Sequence, residues 1–187
     1  MAVFNTADLV KRAAAGDIGA FEELVRSSKQ PLYSYLLGMT GGDHATAADI
    51  LQETFIKAFL NIKKFRGECS FITWLLKISR HEYIDYRTSP KTSENTLLDD
   101  IPERDFAYGK TIESSLAMDQ QREALYKVLA MLSHEHREVI VLVDLQEMRY
   151  DEAASLLGIS EGALKSRLFR ARERLLQVAL EHKKLFV

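Results

Sequence analysis

At 187 residues, with 47% hydrophobic and 28% charged residues and a formal net charge of −2, the chain is long enough for one medium or two small packed domains and is no wholesale polycation. No apolar run approaches the roughly 18 to 20 residues that span a bilayer, and the opening MAVFNTADLVKR lacks the basic-then-apolar order of a secretory signal, so a cytoplasmic protein without direct membrane insertion is expected. The single cysteine, Cys69, excludes an internal disulfide and a cysteine-based zinc site.

Asn5, with Asp8 three positions on, marks a capped start for TADLVKRAAA, and Gly16 marks its stop. A second helix is predicted around Phe21, Leu24 and Val25, a third around Leu32, Tyr35 and Leu36, and a turn at Gly41 and Gly42. The stretch DHATAADILQETFIKAFLNIKKF repeats apolar side chains at Leu51, Phe55, Ala58, Phe59 and Ile62, an amphipathic helical spacing. FRGECS breaks that period at Gly67, and SFITWLLKISRHEYIDYR resumes it. Residues 1–90 therefore read as a helical bundle.

Residues 91–115 differ in kind. They carry three Lys and Arg against six Asp and Glu, lie beside or contain Pro90 and Pro102, and sustain no apolar period. Such composition buries too little surface to offset the entropy of ordering, and a flexible acidic linker is expected.

Residues 116–187 return to helix. MDQQREALYKVLAML is followed by Ser133, a predicted N-cap for HEHREVIVLVDLQEM, whose β-branched run VIVLV fits a buried helix of capped length. Then comes YDEAASLLGISEGALKSRLFRARERL. Small Ala154 lies four before Gly158, and Ser160 starts a second helix, the spacing of a helix-turn-helix. The fold class expected is all-α, with two small helical domains joined by the linker.

In the second of those helices, about 100° per residue gathers Leu164, Leu168, Ala171 and Leu175 on one stripe, with Ser166, Phe169, Arg170 and Glu173 opposite. Lys165 and Arg172 flank one side, Arg167 and Arg174 the other. An outer face that enters the major groove, with cations meeting phosphates on both sides, has this arrangement. A large aromatic such as Phe169 opposite the core stripe could touch a thymine methyl or sugar edges. A solvated basic face with Phe169 under the chain end is the plainer alternative.

A second constellation, KKFRGECSFITWLLKISRHEYIDYR, interleaves Lys63, Lys64, Arg66, Lys77, Arg80 and Arg87 with Phe65, Phe71, Trp74, Tyr83 and Tyr86. Cations that track phosphates and aromatics that stack on bases suit single-stranded or locally opened nucleic acid. Phe71 and Trp74, three apart, equally fit a core edge. Upstream, Asp49, Gln52 and Glu53 share one helix face by their i, i+3 and i+4 spacing, which suits docking on a basic partner and also ordinary solvation.

Taken together, ADILQETFIKAF, FRGECSFITWLLKISRHEYIDYR and LGISEGALKSRLFRARERL resemble, in order, the polymerase-binding helix, the promoter-melting segment and the minus-35 region of extracytoplasmic-function (group 4) sigma factors of the bacterial sigma-70 family. The resemblance implies a protein with no enzymatic activity, cofactor or metal that lends promoter specificity to core RNA polymerase in a stress response. Its partners would be the beta and beta-prime subunits, promoter DNA and an anti-sigma protein, commonly membrane-anchored, that wedges between the domains.

By position, the resemblance sets Asp49, Gln52 and Glu53 on the polymerase clamp helices. Arg66, Gly67, Glu68, Cys69 and Ser70 would capture a flipped minus-10 base, with Trp74, Lys77, Arg80, His81 and Asp85 holding the opened strand. Lys165, Ser166, Phe169 and Arg170 would read the minus-35 element, with Arg167 and Arg174 on phosphates. His81 stands where relatives commonly carry Asn, and Leu132-Ser133 where they carry Leu-Pro. The acidic linker would follow polymerase channels that RNA otherwise occupies. Core polymerase would then supply much of the electrostatic grip, which explains why only the reading helix is rich in cations.

Two other classes remain from the residues alone. A helix-turn-helix regulator would bind a palindrome as a dimer without polymerase, and would leave residues 65–87 unexplained. An enzyme has little support, because His134 and His136, two apart on a helix, point roughly 200° from each other and no phosphate loop or nucleophile–base pair is present.

Overall fold

The computed structural model describes residues 6–89 and 116–186. Asn5 and the predicted linker at 91–115 lie outside the described residues. Among the described residues every regular element is helical, so the all-α expectation holds.

Four helices form the N-terminal group: α1 (Thr6–Ala14), α2 (Ile18–Thr40), α3 (His44–Asn61) and α4 (Phe71–Thr88). Side-chain caps start three of them. Asp17 accepts from the Ala20 N–H, Asp43 from Thr46 and Ser70 from Thr73, each satisfying an amide that the first turn leaves unpaired.

The predicted second and third helices are one continuous element, α2, which runs through Pro31. Proline removes one ladder bond and costs on the order of 3 kcal/mol in a helix interior. The helix survives because Phe21, Leu24, Ser28, Leu32, Tyr35, Leu36 and Met39 form an unbroken buried stripe. A break at Pro31 would put half of that stripe out of phase. Around α2, helices α1, α3 and α4 pack to close the core.

In α3 the buried side chains are Ala47, Ile50, Leu51, Thr54 and Ala58. Phe59, assigned to the apolar stripe from its spacing, is instead exposed, with its ring edge-on to Phe21, centroids 5.1 Å apart. The true stripe is smaller in side-chain size, because Ala47, Thr54 and Ala58 let α3 approach its neighbours closely.

The C-terminal group contains α5 (Leu116–Ala130), α6 (His134–Ile140), α7 (Tyr150–Leu157) and α8 (Glu161–Glu181). Ser133 caps α6 as predicted, accepting from His136 N–H at 3.4 Å. VIVLV is buried helix throughout, and α6 continues into a wider π turn at Val141–Leu145, where Gln146 N–H reaches Val141 O. Arg137 fastens α6 to the end of α5, donating to the carbonyls of Leu129, Ala130 and Leu132.

The helix-turn-helix is formed by α7 and α8. Ala153, Ala154 and Leu156 bury one face of α7, and Gly158 adopts φ 67°, a left-handed conformation open to glycine at little cost. Ser160 then caps α8 through the Ala163 N–H.

The two groups touch. Helix α2 packs against α5, α6 and the π turn, and α4 meets α7.

Candidate nucleic-acid interface

Helix α8 carries the first candidate surface. Leu164, Leu168 and Ala171 are buried and Leu175 is half-buried, so the face opposite them points outward. Ser166, Arg170 and Glu173 are exposed there, and Phe169 leaves 64% of its surface in solvent. The capped helix thus leaves an aromatic open to contact from outside the fold.

The cations around that face are not equally free. Lys165 pairs with Glu161 at 2.6 Å, and this hydrogen bond holds its ammonium above the usual value; it also lies over the Tyr150 ring. Arg167 approaches Glu135 at 3.6 Å, and Arg172 is engaged by Asp144. Among the described residues, Arg170 and Arg174 bond within α8, to Ser166 O and Gln177 Oε1.

The second surface is built by the loop before α4 and by α4 itself. Ile62–Lys64 makes a short 3₁₀ turn, and Gly67 takes φ 75°, which lets Arg66–Ser70 turn outward before Ser70 caps α4. Arg66, Gly67, Glu68 and Ser70 are exposed and Cys69 is half-buried. Arg66 faces Glu68 at 3.8 Å.

On α4, Trp74, Lys77, His81 and Asp85 fall on one stripe by their i+3 and i+4 spacing. Lys77, His81 and Asp85 are exposed. Trp74 is half-buried, leaning on Phe65 and Phe71 with centroids 5.2 and 5.7 Å away, while Phe71 itself is core. The aromatic cluster thus serves both readings: one member fills the core and another stands at its surface. Arg80 lies to the side of this stripe, turned toward the C-terminal group, where Glu138 Oε1 accepts from its Nε at 2.8 Å.

The third surface is on α3. Asp49, Gln52 and Glu53 are all exposed on one face, as predicted. Sequence reasoning missed what continues that face. Ile56 and Leu60 follow at the same helical phase, both exposed, Leu60 at 72%, and Phe59 borders them. The signal is legible as i, i+4, i+7 and i+11 spacing from Asp49.

No group of three or more His, Cys, Asp and Glu among the described residues is arranged to hold a metal ion. No described helix is long and apolar enough to cross a membrane.

These surfaces coincide with matches to known proteins. Residues 24–92 match Sigma-70 region 2 and residues 122–175 match Sigma-70, region 4. The chain is 34% identical over 154 residues to the ECF RNA polymerase sigma factor SigM of Bacillus subtilis, covering 82% of this chain and 91% of that protein. To the ECF RNA polymerase sigma-E factor of Escherichia coli strain K12 it is 29% identical over 173 residues, covering 88% and 89%.

Among solved structures, CnrH in complex with the cytosolic domain of CnrY superposes with a TM-score of 0.69 at 26% identity, covering 93% of this chain and 96% of that one. The sigma factor RpoE in complex with the anti-sigma factor NepR from Bartonella quintana gives 0.64 at 25% identity, covering 84% and 95%. With both sigma-70 regions in order along one chain and two helical groups exposing the surfaces described, the protein belongs to the ECF sigma factors of RNA polymerase.

Proposed function

We propose that this sigma factor, of group 4, divides as residues 1–90 for core polymerase and the minus-10 element, 91–115 as linker, and 116–187 for the minus-35 element. The observation that carries this reading is the outward display of Ser166, Phe169 and Arg170 on α8 at the same time as the Arg66–Ser70 loop and the α4 stripe. One surface suits duplex readout and the other suits an opened strand.

In this reading Asp49, Gln52 and Glu53 dock on the beta-prime clamp helices, with Ile56 and Leu60 extending the contact, and the C-terminal domain lies near the beta subunit. Arg66, Gly67, Glu68, Cys69 and Ser70 enclose a flipped minus-10 base. Trp74 stacks at the edge of the opened duplex, and Lys77, Arg80, His81 and Asp85 follow the strand. Lys165, Ser166, Phe169 and Arg170 read the minus-35 element while Arg167 and Arg174 meet phosphates.

The protein works in the cytoplasm and performs no catalysis of its own. A stress-linked anti-sigma protein, membrane-anchored, holds it inactive; the pairing of Bartonella quintana RpoE with the anti-sigma factor NepR supports an anti-sigma partner.

Transcription in vitro with bacterial core polymerase and a genomic promoter library tests the whole reading. Discrete start sites sharing two spaced upstream elements are expected. Specific binding of a duplex palindrome by the protein alone, with no starts, would favour a polymerase-independent regulator.

A further inference from the structure

Arg80 and Arg137 cross between the two helical groups in opposite directions. From α4, Arg80 donates through Nε to Glu138 Oε1 at 2.8 Å and through Nη2 to Oε2 at 3.4 Å, with Glu138 only 2% exposed. From α6, Arg137 donates through Nη1 to the Met39 carbonyl at 2.6 Å, an oxygen that also accepts from the Tyr83 hydroxyl. His134 closes the cluster, its Nε2 lying 3.7 Å from Glu138 Oε2 and its ring stacked on Tyr83.

Apolar contact surrounds this polar crossing. Gly38 brings the α2 backbone so close to the π turn that a Cβ there would meet a Val141 methyl at 2.8 Å. On the other side, Gln146, Glu147, Met148 and Glu152 share the walls of a cavity of about 730 Å³ with Gly67, Cys69 and Ser70 of the loop before α4.

The two carboxylate oxygens of Glu138 face the guanidinium as two phosphate oxygens would, since both anions suit the planar donor fork. One guanidinium cannot serve both at once. An ion pair buried in this way also contributes little net stability, because desolvation offsets attraction. Arg80, whose side chain is already 24% exposed, regains water when the groups separate. The contact sets the register of a closed form without making it permanent.

We propose that this interface is an autoinhibitory latch: Glu138 occupies Arg80 in place of the minus-10 strand until the two groups part, while Gln146, Glu147, Met148 and Glu152 face the base-capture loop across the cavity. The proposal rests on the assignment of Arg80 and the loop to the minus-10 element.

A reversible lock tests it. The Cβ of a side chain at Gly38 would lie 3.5 Å from Val141 Cβ, within the range of disulfide-linked residues. In the full chain with Cys69→Ser, Gly38→Cys and Val141→Cys, each oxidised sample, its cross-link verified by mass, is compared with itself after reduction. Binding of a fluorescent single-stranded minus-10 oligonucleotide, and transcription with core polymerase, should rise at least tenfold on reduction. Equal strand binding in the two states would overturn the proposal.

Glu138→Gln keeps the shape and removes the charge, so the free full chain, its fold checked by helical circular dichroism, should bind the same oligonucleotide several-fold more tightly. Unchanged affinity in that variant would also count against the latch. Transcription by the wild-type chain in parallel reports promoter recognition itself, so failure of the latch and failure of that recognition give different patterns.

Discussion

Arg172 on α8 is clamped by Asp144 of the π turn, its Nε donating to Oδ2 at 3.1 Å and its Nη2 to Oδ1 at 2.5 Å. That fork holds the guanidinium, whose value is raised by the hydrogen bond to Asp144, against its own domain. It fixes the π turn that precedes the helix-turn-helix to α8. Two arginines two positions apart, Arg170 and Arg172, therefore have different work.

Arg170→Ala is expected to lose about 1 to 3 kcal/mol of discrimination between matched and mismatched minus-35 sequences, as for loss of a base-edge contact. Arg172→Ala is expected to lower stability by no more than about 1 kcal/mol, since the pair is half-exposed and screened, and to leave discrimination intact. Competition binding by polymerase holoenzyme on a matrix of single-base promoter variants, together with thermal melting, separates the two. Equal losses on every sequence would reduce Arg170 to a phosphate contact.

Leu60 sits on α3 beside Ile56, beyond Asp49 and Glu53, with most of its surface in solvent. Leu60→Glu should weaken core polymerase binding by about 1 to 3 kcal/mol, the scale of an interface anchor, while the melting temperature stays within a degree or two. Fluorescence titration of labelled core polymerase measures it. Wild-type affinity in the variant would leave this face as ordinary surface.

Trp74 leans on Phe65 and Phe71 but is not enclosed by them. Trp74→Ala should therefore cost about 2 kcal/mol of stability, less than a fully buried aromatic, and should leave the N-terminal domain folded. Open-complex formation on duplex promoters should fall sharply and recover on templates already melted at minus-10. Permanganate footprinting reads the opened bases; loss of helical circular dichroism instead would assign Trp74 wholly to the core.

His134 is held below its ordinary value chiefly by burial, opposed by Glu138 and reinforced by Arg87, Arg80 and Arg137, with Tyr83 stacked on its ring. Its Nδ1 is buried and finds no hydrogen-bond partner among the described residues. Because the folded value is depressed, the unfolded chain takes up the proton first as pH falls through about 6.5. Stability associated with this residue is complete above that pH and is lost on acidification toward the folded value. Denaturant melts at about pH 7.5 and pH 5.5 should show this loss, and His134→Gln should make the pH dependence shallower.

The local architecture was legible because its causes are local. The stripe Leu164, Leu168, Ala171, the left-handed turn at Gly158 and the cap at Ser160 follow from helical phase, steric freedom and side-chain reach within a few residues. The Arg66–Ser70 loop was readable for the same reason, since Gly67 breaks a period that Ser70 restarts. The two helices expected around Phe21 and Leu32 are one because burial of the whole α2 stripe outweighs the local penalty of Pro31, and Phe59 departs from its expected place because periodicity does not say which of two apolar faces meets a neighbour.

Sequence alone thus determined the helical class, the order of most helices and the residue types on the three candidate faces. Tertiary structure decided which of those residues are free. Arg80 and Glu138 are 58 positions apart, and Gly38 meets Val141 across the same boundary. No period or motif encodes such a meeting, because it depends on how two separately patterned surfaces fit and on which charges lose water when they do.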